Sequence, residues 1–194
     1  MQNIIDEILR ESINVKEKFI IDHKDDLISL AEKIVSAFTN DRKLLLCGNG
    51  GSAADAQHIA AEFVNRFEME RPPLPAIALT TDTSIITCIG NDYSFDEIFT
   101  KQIKALGLEG DVLLAISTSG NSPNVVAAAE AAREMDIYVA ALTGGSGGKL
   151  KDICDMCMIA GSDRAARIQE SHILAGHIIC KLVDQILFGG GEAG

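Results

Sequence analysis

The sequence is short of positive charge. Its 194 residues hold 17 Lys and Arg against 28 Asp and Glu, a formal net charge of −11. A surface that binds duplex nucleic acid without sequence preference needs the opposite sign, and so does a basic helix lying on a membrane. Long apolar runs are also missing. No stretch comes near the roughly 18 unbroken apolar residues of a spanning helix. The first residues, Met1-Gln2-Asn3-Ile4-Ile5-Asp6-Glu7, have neither a basic start nor the apolar segment of a secretory signal. Five cysteines form no second C-x-x-C beside Cys154-Asp155-Met156-Cys157, so a zinc ribbon is excluded. Cys47, Cys88 and Cys180 sit among apolar residues, and buried reduced thiols in a cytoplasmic protein are expected.

What is present is ordinary for a globular chain: 47% hydrophobic and 23% charged residues, enough for one domain with a full core. Residues 3–40 carry apolar positions at helical spacing. One stripe is Ile4, Ile5, Ile8, Leu9, Val15, Phe19 and Ile20, and a second runs from Leu27 to Phe38, with a break near Asp22-His23. This reads as an N-terminal helical arm whose stripe must be covered by the body or by another subunit. From Lys43 the texture changes to short apolar strands alternating with helices. Strands are expected at 43–47, 76–79, 111–116, 137–142 and 154–160. Helices are expected at about 53–66, 83–90, 95–106, from Pro123 onward and at 165–187. Continuously apolar strands imply a parallel sheet covered on both faces, a three-layer α/β sandwich. Residues 1–40 are read as helices of the same domain, 41–188 as its α/β body and 189–194 as a flexible tail.

In such folds ligands sit beyond the C-terminal ends of the strands, so the loops there are the informative ones. Ser117-Thr118-Ser119-Gly120-Asn121-Ser122-Pro123 places four hydroxyls between a strand and a helix start, where free N–H groups and the helix dipole favour an anion. A plain polar turn with a serine cap is the bland alternative. The loop is not a Walker loop, having no Gly-Lys-Ser/Thr. Nor does Gly48-Asn49-Gly50-Gly51 complete G-x-G-x-x-G, since residue 53 is alanine. His58 and Glu62, four apart on one helix, could share a metal ion, or Glu62 could simply pair with Arg66. Gln169 and His177 on the last helix are about 80° apart in azimuth and roughly 12 Å in rise, so they meet one ion only by leaning together or with the help of a subunit contact. His172 is about 140° from His177 and faces elsewhere.

Taken together, Cys47 to Ser52, His58-x3-Glu62, Gly90-Asn91-Asp92, Ser117 to Ser122 and Arg167-Ile168-Gln169-Glu170 with His177 resemble the sugar-isomerase (SIS) domain family. Within it they resemble the branch that interconverts seven-carbon sugar phosphates, from about residue 3 to 187. The resemblance implies a flavodoxin-like fold with five parallel strands and a cytoplasmic homotetramer whose sites lie at subunit contacts. It implies one Zn²⁺ per subunit on His58, Glu62, Gln169 and His177. Substrate contacts are implied for Asn49, Gly50, Gly51, Glu62, Asn91, Asp92, Ser117, Thr118, Ser119, Ser122 and Gln169, with Glu62 and His177 as the acid/base pair. The implied reaction takes D-sedoheptulose 7-phosphate to D-glycero-D-manno-heptose 7-phosphate through a cis-enediol, the first step toward activated heptose for lipopolysaccharide or another surface glycan. No nucleic-acid or membrane partner is implied. Ala53 and Ala54 stand where some members carry His and Cys, and Ala166 where some carry Asp. The alternatives are a non-enzymatic tetrameric SIS protein that binds the replication initiator, or another phosphosugar isomerase.

Overall fold

A computed structural model describes residues 1–189. Part of the expected tail, residues 190–194, lies outside the described residues. Five parallel strands stand in the order β2-β1-β3-β4-β5: β1 Leu44–Gly48, β2 Ala76–Ala78, β3 Val112–Ser117, β4 Tyr138–Gly144 and β5 Met156–Ala160. The helices are α1 Gln2–Asp22, α2 Lys24–Thr39, α3 Gly51–Val64, α4 Thr83–Asp92, α5 Thr100–Leu106, α6 Pro123–Glu134, α7 Leu150–Ile153 and α8 Ala165–Phe188.

Alternate strand residues feed two cores, as the pleat requires. Leu44, Leu46, Val112, Leu114, Ala140 and Leu142 pack under α1, α2, α3 and α8. Leu45, Cys47, Leu113, Ala115, Val139 and Ala141 face α4, α5 and α6. The sheet is thus covered on both sides, the three-layer sandwich the apolar strands imply. By length and composition α8 could cross a bilayer. Here it is a core helix that buries His172 and Asp184 against protein.

Several boundaries differ from the sequence reading. The apolar run at 154–160 becomes a strand only from Met156, because residues 150–153 close a short turn of helix. The stretch 95–106 splits into a 3₁₀ turn at Phe95–Glu97 and α5. Helix α3 starts two residues early, at Gly51, since the turn before it is made by Gly50 at φ 56°. Cys88 is exposed on α4 rather than buried, because its part of the helix faces away from the sheet. All five cysteines are free, and burial pushes the thiols of Cys47, Cys154 and Cys180 up to about 12, so they stay protonated.

The break at Asp22-His23 has a structural reason. The Ile159 N–H on edge strand β5 donates to His23 Nε2 at 3.0 Å, and His23 Nδ1–H points to Asp26 Oδ2 at 2.8 Å. The turn between α1 and α2 is therefore pinned to the sheet, and Phe19 is buried beside it. Beyond that anchor α1 leaves Ile4, Ile5, Ile8, Leu9 and Ile13 between 44% and 66% exposed.

His172 is fully buried, and its Nε2–H donates to the Thr143 carbonyl at 2.9 Å. Burial pulls its imidazole down to about 4, opposed in part by that bond, and Nδ1 has no partner among the described residues. The folded-state value lies below the ordinary value of 6.5. The neutral form therefore contributes stability that is fully present above 6.5 and drains away as pH falls toward 4. Acid unfolding followed by circular dichroism is expected to show a loss of about 3 kcal/mol from this residue across that window. His172→Gln should flatten that part of the profile, and an unchanged slope would contradict the assignment.

Candidate active site between two parallel helices

Strand order reverses between β1 and β3. After β1 the chain leaves through α3 toward one face, and after β3 it leaves through α6 toward the other. The loops 48–52 and 117–122 therefore flank the crevice where open α/β sheets take ligands.

The first loop is tight. A side chain on Gly48 would strike Ser52, and one on Gly51 would strike Gln169 Nε2. Gln169 is thus seated on the start of α3. The second loop packs on the loop after β4: Gly120, at φ 65°, leaves no room for a Cβ against the Gly147 carbonyl, and the Lys149 N–H donates to Asn121 Oδ1 at 3.0 Å. The bland reading of this loop as a serine-capped turn fails on one detail. Ser122 stands at the N-cap of α6 but makes no cap bond; its hydroxyl lies 3.0 Å from that of Ser117. Ser119 Oγ accepts from the Asn121 N–H at 3.1 Å and keeps its own proton to donate. Pro123 has no N–H and the Val125 N–H donates to the Ser122 carbonyl at 3.0 Å, so the Asn124 N–H is the free backbone donor of this turn, beside hydroxyls of the kind that can bind an anion.

Helices α3 and α8 run in parallel with a constant register. Gly51 meets Gln169, Ile59 packs where Gly176 has no side chain, and the His58 ring stands 5.1 Å from the His177 ring, edge to face. His58 Nε2 is 3.1 Å from Glu62 Oε1. Phe67 stacks on His177 at 5.5 Å and fixes the plane of its ring. Arg66 pairs with Glu70, not with Glu62. His58 thus touches both Glu62 and His177, while Gln169 sits farther along, at the glycine loop. Two imidazoles and a carboxylate are donors of the kind zinc takes in sites that keep a fourth position open, whereas an amide such as that of Gln169 is outside the usual donor set. Among the described residues no three His, Cys, Asp or Glu side chains are already arranged around a common point. His58 and Glu62 bond to each other, and that bond is the one a metal would replace.

Asn91 and Asp92, at the exposed end of α4, bond to each other at 2.8 Å; among the described residues no side-chain bond joins them to either loop. Two features escaped the sequence reading. Asp55, one turn before His58, has Oδ2 buried without a partner among the described residues. Burial pushes its carboxyl up to about 6, against the opposing pull of His58. Arg71 is the other. Its Nε–H donates to Asp184 Oδ1 at 2.8 Å, and its Nη groups donate to the carbonyls of Glu62 at 2.8 Å and Phe63 at 2.7 Å. It closes the C-terminal end of α3 and ties it to α8. The Asp55 signal was a carboxylate on the His58 side of an otherwise small-residue helix; Arg71 left no local signal.

The SIS domain family model matches residues 8–144. A phosphoheptose isomerase of Nitratidesulfovibrio vulgaris (strain Hildenborough) is 55% identical over 187 residues, covering 96% of this chain and 90% of the relative. The chain belongs to the phosphoheptose isomerase family of SIS-domain proteins. Solved phosphoheptose isomerases agree in three dimensions. That of Neisseria gonorrhoeae superposes with a TM-score of 0.89 at 48% identity, and that of Francisella tularensis with 0.91 at 44%. Each comparison covers 95% of this chain and 98% of the other. The five-stranded parallel sheet described above is thus the phosphoheptose isomerase fold, and the chain is an aldose–ketose isomerase by family.

Proposed function

We propose that the chain converts D-sedoheptulose 7-phosphate to D-glycero-D-manno-heptose 7-phosphate through a cis-enediol, supplying heptose for a surface glycan. The observation that carries this reading is that His58 meets both Glu62 on α3 and His177 on α8, beside the hydroxyl loop across the crevice. Ser117, Thr118, Ser119 and Ser122, with the Asn124 N–H at the start of α6, hold the phosphate. That contact is remote from the reacting carbons, so its binding energy serves to place them. The Asn49 backbone, Gly50, Gly51, Asn91, Asp92 and Gln169 line the sugar.

Glu62 takes the proton from C1 and His177 returns one at C2. Phe67 and His58 hold the His177 ring in the orientation that transfer needs. His58, Glu62, Gln169 and His177 would hold one Zn²⁺, which as a Lewis acid supplies polarisation of the carbonyl and stabilisation of enediolate charge. Turnover of sedoheptulose 7-phosphate, measured together with elemental analysis of chain purified without chelator, tests the reading. About one zinc per chain is expected on this donor set. Full activity with no transition metal would defeat the metal assignment. Neither turnover nor metal would favour a binding protein instead.

The working assembly in this reading is a cytoplasmic homotetramer. The bare apolar stripe of α1, from Ile4 to Ile13, supports it, because surface of that kind costs free energy in water. Light scattering at micromolar concentration is expected to give four chains. A monomer would contradict the assembly, and Ile5→Asp with Leu9→Asp should shift the mass downward.

A further inference from the structure

Asn49 and Asn124 bond to each other twice. Asn49 Nδ2–H donates to Asn124 Oδ1 at 2.8 Å, and Asn124 Nδ2–H donates to Asn49 Oδ1 at 2.9 Å. Asn49 lies in the glycine loop after β1. Asn124 is 1% exposed and lies in the first turn of α6, beside the hydroxyl loop after β3. We propose that Asn124 is a positioning residue that fixes the distance between the two ligand loops, and that the Asn49 side chain acts through it rather than on the sugar.

The topology gives the pair its task. Strands β1 and β3 are neighbours up to the Gly48–Ile116 register, and beyond that their chains part to opposite faces of the sheet. The pair bridges the crevice just past this point. Each amide spends its oxygen and one N–H on the other, so the contact is two-point and directional, unlike an apolar contact. Because one end is buried, removing either partner strands polar atoms that have lost water. In an isomerase of the kind proposed above, on which this inference rests, phosphate held at one loop positions the carbonyl end at the other only if their separation is fixed.

Asn49→Ala, Asn124→Ala and the double variant in the metal-replete full chain test the pair. For each single variant kcat/KM for sedoheptulose 7-phosphate is expected to fall by at least about tenfold, the scale for losing two hydrogen bonds. The double variant should be no more than about twofold worse than the worse single variant, as for residues acting as a unit. The inhibition constant of inorganic phosphate should stay within about threefold throughout, because the hydroxyl loop itself keeps its donors. Multiplicative losses would mean that Asn49 meets the sugar independently. A parallel rise in the phosphate constant would reduce Asn124 to a part of the phosphate site, and no change in kcat/KM would overturn the proposal outright. Should Asn124→Ala not fold, Asn49→Ala at the partly exposed end must show the same split by itself. Hydrogen exchange of residues 48–52 reads the pair without turnover. It should quicken in either single variant, and unchanged exchange overturns the pair even if the wild-type chain proves inactive toward the heptulose, a result that would count against the proposed reaction alone.

Discussion

Glu62→Gln and His177→Gln are each expected to lower kcat by at least about a hundredfold while the fold is kept, the scale of a single general acid or base. Glutamine keeps the length of Glu62 and an oxygen that can still face a metal, but an amide cannot accept the C1 proton. The His177 ring is held between His58 and Phe67, so glutamine there removes the imidazole without opening the core. The two losses differ in isotope behaviour. Exchange of solvent deuterium into C1 should stop in Glu62→Gln and persist in part in His177→Gln. Wild-type exchange in Glu62→Gln would leave Glu62 as a ligand only and move the base to His177. Folding is checked by thermal melts, which should shift little, because both side chains reach the open side of the α3–α8 seam.

Arg71→Met should act on stability first. The side chains of Arg71 and Asp184 are 1% and 2% exposed, and the guanidinium also serves two carbonyls at the end of α3. Removing one partner of a buried pair leaves a stranded carboxylate, a loss of about 3–5 kcal/mol. Urea unfolding should therefore show a large drop in midpoint with a similar slope. Asp184→Asn, which keeps an acceptor for the Arg71 Nε–H, should lose less. If Arg71→Met unfolds at the wild-type midpoint, the pair does not hold these helices together.

The alternation of apolar strands with helices made the layers legible, because burial on both faces writes itself into Leu44-Leu45-Leu46-Cys47 and Val112-Leu113-Leu114-Ala115-Ile116. The hydroxyl loop was legible because Pro123 marks the helix start. Residues 150–153 were not, since one turn shows no periodicity and follows glycines that read as loop. The convergence of His58 with His177 is a matter of how α3 lies on α8. Helical arithmetic within α8 could not supply it, nor could the resemblance give its geometry. Arg71 and Asp184 lie 113 residues apart, and nothing local in either neighbourhood announces the other. Arg66 was the nearer partner for Glu62 by spacing, yet it turned outward to Glu70.

The constant register of α3 on α8 sets how the chain can change length. One residue added or removed inside either helix turns everything beyond it by about 100°. His58 would lose His177, and Ile59 would no longer meet the gap at Gly176. Insertions should therefore be tolerated in the connector around 68–75 only so far as Arg71 still reaches Asp184, and hardly at all between Gly51 and Val64. For anyone grafting, permuting or shortening this scaffold, the two helices are a matched pair to be moved together or left alone.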